Sequence, residues 1–154
     1  MGFDIYGKAP TSAEGKYFRR NAWRWPHLVR LLVDLCPEET RGWEGWLYNE
    51  GDGLDAVDAR NLARRLEELS TQGVIEAYCR DRAKIAEATT ELTVRLYPQL
   101  EFGPTGVVIP ADPKLARDEF LGLCAMLNDT SAVARADVDE FIRFAAASGG
   151  FAIW

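Results

Sequence analysis

Asp55-Ala56-Val57-Asp58-Ala59-Arg60-Asn61-Leu62-Ala63-Arg64-Arg65-Leu66-Glu67-Glu68-Leu69-Ser70-Thr71-Gln72-Gly73 decides the fold class. Ala59, Leu62, Ala63, Leu66 and Leu69 recur at the three- and four-residue spacing that lays one apolar stripe along a helix. Asp55 stands where a cap belongs, Asp58 adds negative charge near the positive end of the dipole, and Gly73 follows as a stop. The spacing predicts a helix over 55–72.

The same period recurs on both sides. Trp25–Cys36 has Pro26 in its first turn, puts Leu28, Leu31, Leu32 and Leu35 on one face, and stops at Pro37. Ile75–Leu96 reads as a third helix, with Ile85, Leu92 and Leu96 on its face and Glu76–Arg80 and Glu91–Arg95 as supporting pairs. Asp112 and Pro113 open a fourth, carrying Ala116, Phe120, Leu123 and Leu127 on one side. Ala134–Ala147 is a fifth, with Val138, Phe141, Ile142 and Ala145 inward and Gly149-Gly150 as its end. Leu100–Pro110 is rich in Gly and Pro, and Val107-Val108-Ile109 within it reads as a short strand. The expected architecture is mainly α: a single compact domain over 1–154, of about five helices. Irregular or short extended segments are expected at the N-terminus and around 41–54 and 100–110.

With 154 residues, 47% of them hydrophobic and 27% charged, the chain has an ordinary globular balance and can bury a core unaided. No apolar run approaches the roughly 20 residues of a membrane helix. Met1–Tyr6 reads neither as a signal peptide nor as a myristoylation signal, so the expected place is the cytoplasm.

The net charge of −6 is unevenly spread. Residues 1–35 carry six Lys or Arg against three acids, whereas 36–60 carry two against seven. An acidic whole disfavours direct nucleic-acid binding, which draws on dense positive charge, and suits an acidic face for a basic partner. Cys36, Cys79 and Cys124 stand 43 and 45 residues apart beside a single His27, a spacing that assembles no metal site. Reduced, buried thiols are expected, with no cofactor.

Two segments could carry binding chemistry. In Gly15–Arg30, basic residues alternate with aromatics, and Tyr17, Arg19, Arg20, Asn21, Trp23 and Arg24 offer forks and rings suited to a phosphate, a base or an acidic surface. Those arginines could instead pair with the acidic block that follows, while the Trp side chains anchor a core. In Tyr48–Asp55, two glycines free the backbone ahead of a capped helix, and Asn49, Glu50 and Asp52 are the polar groups. The loop fails as a calcium site, because Gly51 and Gly53 fall at ligand positions and Leu54 where Gly is needed. A turn with a helix cap is its plainer reading. No serine sits in a nucleophile elbow, there is no P-loop or dinucleotide fingerprint, and His27 reads as a boundary residue of a helix start. The apolar tail Phe151-Ala152-Ile153-Trp154 is expected to fold back on the core.

Met1–Gly7 with Gly15-Lys16-Tyr17-Phe18-Arg19-Arg20-Asn21, then Asn49-Glu50-Gly51-Asp52-Gly53-Leu54, and finally Phe141–Phe144 through Ser148-Gly149-Gly150-Phe151 together resemble an uncharacterised family of small bacterial and phage proteins. The likeness covers about a third of the chain, at its two ends. Residues from about Gly73 to Pro113 do not match; family members often carry a paired-cysteine motif there, and this chain has Cys79 alone. The resemblance implies no activity. Its phage association implies an inhibitor that blocks a host complex by surface contact.

The function expected on these grounds is a non-enzymatic binding protein with a protein partner. Its sharpest form is a phage-linked inhibitor of a host nucleic-acid machine, of the anti-CRISPR or another anti-defence type, with acids of residues 38–58 set in a groove meant for nucleic acid. The alternative is a protein, catalytic or not, that binds a small phosphorylated ligand or nucleotide between the 19–23 and 49–53 segments. A third is a structural subunit that oligomerises through Trp154 and its neighbours.

Overall fold

A computed structural model describes residues 2–97, 100–102, 108–110, 127 and 132–154. The chain divides into two compact units, residues 1–79 with 133–154, and residues 80–132. The architecture is mainly α with a small sheet.

In the first unit, strands β1 (Gly2–Gly7), β2 (Tyr17–Asn21), β3 (Gly53–Leu54) and β6 (Phe151–Ile153) form an antiparallel sheet in the order β2-β1-β6-β3. Helices α1 (Trp25–Leu35), α2 (Ala56–Thr71) and α4 (Arg135–Ala147) belong to the same unit, as does the start of α3 (Val74–Leu96). A 3-10 helix spans Trp43–Leu47. In the second unit, β4 (Leu100–Phe102) pairs with β5 (Val108–Pro110), within the stretch read as extended. The expected helix over 112–127 lies outside the described residues, Leu127 excepted, and so does Cys124. Among the described residues no helix is long and apolar enough to cross a membrane.

Local chemistry accounts for the helices. Asp55 caps α2, its carboxylate accepting from the N–H groups of Val57 and Asp58 at 2.8 and 2.9 Å. The expected stripes of α1, α2 and α4 are buried, apart from half-buried Leu35. The α3 expectation needs correction. Ile75 and Cys79 are buried, but Ile85, Leu92 and Leu96 are exposed. Glu76 pairs with Arg135 at 3.3 Å instead of Arg80, and Glu91 forms no ion pair with Arg95 among the described residues. Periodicity marks a helix; it does not say which part of it is covered.

The core of the first unit is aromatic. Phe18, Trp25, Phe141, Phe144 and Phe151 pack with ring centroids 5.4–6.4 Å apart. Trp25 Nε1 donates to the Trp46 carbonyl at 2.6 Å, so the buried indole keeps a partner. The C-terminal tail does fold back. Gly149 and Gly150, at φ +62° and +89°, turn the chain out of α4 and feed Phe151–Ile153 into the sheet beside β1. Phe151 and Ile153 are buried there.

Candidate functional site

The strand alternation of β2 splits the basic segment in two. Phe18 and Arg20 face the core; Tyr17, Arg19 and Asn21 face out. The Arg20 guanidinium carbon lies 4.2 Å above the Phe18 ring centre, its Nη2 is 2.5 Å from Glu140, and its Nε makes an ion pair with Asp137 at 3.1 Å. Arg24 joins the same carboxylate: Asp137 accepts from Arg24 Nε at 2.9 Å and from Nη2 at 2.8 Å. Asn21 sets this geometry, because its Oδ1 accepts from the N–H groups of Trp23 and Arg24 at 3.1 and 2.8 Å and fixes the turn into α1. Arg19 and Arg20 therefore point to opposite faces and build no double-arginine clamp.

The basic segment does not neutralise the acidic block. Arg19, Arg20 and Arg24 pair with Asp4 on β1 and with Asp137 and Glu140 on α4. Glu44, Glu50, Asp52 and Asp58 are exposed and Glu39 is half-buried, and among the described residues none of the five forms an ion pair. Glu38 pairs with Arg41, and the Asp55 carboxyl is held below its ordinary range by the N–H groups of Asp58 and Val57. Asp52 packs its carboxylate over Gly45, next to Glu44, so this strip is compact. Exposed Tyr48 lies within it.

The solvent face of the sheet does bring the two sequence segments together. One row runs Tyr17, Tyr6, Ala152 and Gly53 across the four strands. The next runs Arg19, Asp4 and Trp154, with the Trp154 ring against Gly51. A third joins Asn21 to Gly2, whose carbonyl accepts from Asn49 Nδ2 at 3.4 Å. The face is open. Tyr17 donates to Asp4, which raises the phenol pKa, and Arg19 Nε is 3.4 Å from the same carboxylate. The Tyr6 and Tyr17 rings meet at a tilt of 44° with centroids 5.2 Å apart, each about half exposed, as is Trp154. Trp23 is 68% exposed, not a core anchor. The packing of Tyr6, Asp4 and Trp154 between the two segments escaped sequence reading, because strand order is a non-local property. The repeated Gly and aromatic residues at the chain's two ends were its one trace.

The described residues of the first unit line a concavity of about 460 Å³ at Glu67, Ser70, Thr71, Asp139, Ile142 and Arg143, and a second of about 280 Å³ at Glu14, Tyr17, Phe18, Glu140, Arg143 and Phe144. Charges that line them are compensated: in the second, Arg143 pairs with Glu14 and Glu140 with Arg20, and in the first, Asp139 pairs with Arg135. His27 is half-buried in the first turn of α1. Burial pushes the Cys36 thiol up to about 12 and also raises that of Cys79, so both stay protonated at neutral pH. No protein-family model, curated protein or solved structure matches the chain.

Proposed function

We propose that this chain is a non-enzymatic binding protein that docks its acidic strip on a basic surface of a protein partner. The observation that supports this reading most is the charge separation. The arginines at positions 20 and 24 are spent on α4, and Glu44, Glu50, Asp52 and Asp58 keep an uncompensated negative field beside exposed Tyr48. Such a field raises the encounter rate with a positively charged groove, and an aromatic beside it supplies a contact that salt does not screen. Grooves of that charge ordinarily hold nucleic acid, so the reading extends to an inhibitor of a nucleic-acid machine, of anti-CRISPR or another anti-defence type. The test is a pull-down from bacterial lysate at moderate salt with the wild-type chain and with the triple variant Glu44→Gln, Glu50→Gln, Asp52→Asn. The expected result is a nucleic-acid-binding protein held by the wild type, released by salt and missed by the variant. No retained partner, or equal retention by the variant, overturns the reading.

A further inference from the structure

The solvent face of an antiparallel sheet ordinarily carries polar residues opposite a buried apolar face. Here it carries Tyr6, Tyr17 and Trp154, each about half exposed, around one cation and one anion. Tyr, Trp and Arg are the side chains that dominate the energetics of protein interfaces. The face lies apart from the acidic strip in composition. Its only two charged side chains among the described strands, Arg19 and Asp4, are opposite in sign and adjacent across β2 and β1.

That pattern is complementary to itself. We infer that the solvent face of this sheet pairs with a second copy of the chain about a two-fold axis, Arg19 of each copy meeting Asp4 of the other. The axis runs parallel to the strands, above the line between β1 and β2. Rotation about it lays β2 of one copy over β1 of the other, so Arg19 comes over Asp4 and, one row along, Tyr17 comes over Tyr6. Each contact occurs twice, as an isologous interface requires. The sheets pack face to face at about 10 Å with their rings interdigitated. Trp154, one strand beyond β1, falls outside the partner's β2 and closes that side against water. A basic or an acidic foreign surface would leave one of the two charges facing its like, which is the argument for a second copy over a different protein.

Edge-to-edge pairing of β2 is the weaker geometry. Arg20 Nη1 already donates to the Arg19 carbonyl at 2.6 Å, and Arg24 N–H to the Asn21 carbonyl at 3.2 Å, so the edge is partly occupied.

The sheet spans no more than roughly 300 Å² in plan, from four strands about 4.8 Å apart. A standard interface buries about 800 Å² per partner. The association is therefore weak and set by concentration. Sedimentation equilibrium of the full chain from about 10 μM to about 1 mM tests it. The weight-average mass is expected to rise from 17.2 kDa toward twice that value. Arg19→Asp alone and Asp4→Arg alone each weaken association by about tenfold or more, since like charges then meet at both symmetric contacts. An equimolar mixture of the two restores it, because each mutated side chain then faces its opposite. Tyr17→Ser weakens association with no change of charge, and circular dichroism verifies that each variant is folded. A mass that stays at the monomer value throughout overturns the inference, and so does a dimer that Arg19→Asp leaves intact or that the mixture fails to restore. Sedimentation of the purified chain involves no partner protein, so its outcome is independent of the acidic strip.

Discussion

Arg24 grips Asp137 across 113 residues of sequence, with Nε to Oδ2 at 2.9 Å and Nη2 to Oδ1 at 2.8 Å. Two parallel N–H···O bonds give this contact direction as well as strength. Arg20 reaches the same carboxylate from the other side, and both side chains of that pair are at most one-tenth exposed. The pair ties the first turn of α1 and the end of β2 to α4, and so fixes the strand whose outer residues form the open face.

Removing the shared carboxylate leaves the buried Arg20 guanidinium only half-exposed Glu140 as a counter-charge. Asp137→Ala is expected to lower stability by about 3–5 kcal/mol. Glu140, also on Arg20 but half exposed, is expected to cost under about 1 kcal/mol when changed to Ala. Urea denaturation of the two variants checks the contrast.

Acidification should loosen α2 through its cap. The Asp55 carboxyl has its pKa lowered by the N–H groups of Asp58 and Val57. A group whose folded pKa is depressed contributes stability that is present above its unfolded pKa, and that is lost as pH falls through the folded value. Asp55→Asn keeps a capping oxygen but cannot titrate, so its Tm should fall less than that of the wild type as pH drops below the ordinary carboxylate range. Thermal melts at neutral and acid pH read the difference. Equal acid dependence in the two proteins would remove this cap from the account.

Thiol chemistry should follow burial. In a Cys124→Ser background, Cys36 and Cys79 are expected to react with a disulfide reagent at pH 8 far more slowly in the native protein than in urea. Both thiols are buried, and burial holds them protonated. Reaction of either at the rate of a free thiol would contradict the packing around α1 and the start of α3.

The Trp154 ring rests on a residue without a side chain. Gly51 sits at φ +88°, and a methyl group built on it would lie 2.8 Å from one ring carbon and 2.9 Å from another. Gly51→Ala is expected to cost about 1–3 kcal/mol, from backbone strain and the displaced ring together. In a Trp154→Ala background the cost falls to the backbone part. A double-mutant cycle of chemical denaturation separates the two.

Much of the helical framework is legible without coordinates. Asp55 and Gly73 bracket α2, Pro26 and Pro37 bracket α1, and Val138, Phe141, Ile142 and Ala145 mark the inner side of α4, because caps, breakers and a 3.6-residue period act within a few turns of chain. The sheet is not legible in this way. β1 and β2 are the first elements of the chain and β6 is the last, and in β2 an inward Arg20 breaks the alternation that would announce a strand. That arginine is tolerated inside because Asp137 and Glu140 arrive from α4.

The candidate surfaces divide the same way. Residues 17–24 and 49–53 stand out by composition, and their aromatics, arginines and acids are of the types that bind. Composition alone left open whether the basic block would neutralise the acidic one. By itself the sequence determined α1, α2 and α4, the burial of Cys36 and Cys79 and the uneven charge, since each depends on residue type and local spacing. Only the tertiary structure decided that Arg20 and Arg24 turn to α4, that the acids of residues 44–58 stay in solvent, and that Trp154 closes a sheet face with Tyr6 and Tyr17. Those outcomes follow from strand order and long-range pairing, and the free energy of such contacts depends on which distant segments the fold brings within a few ångströms.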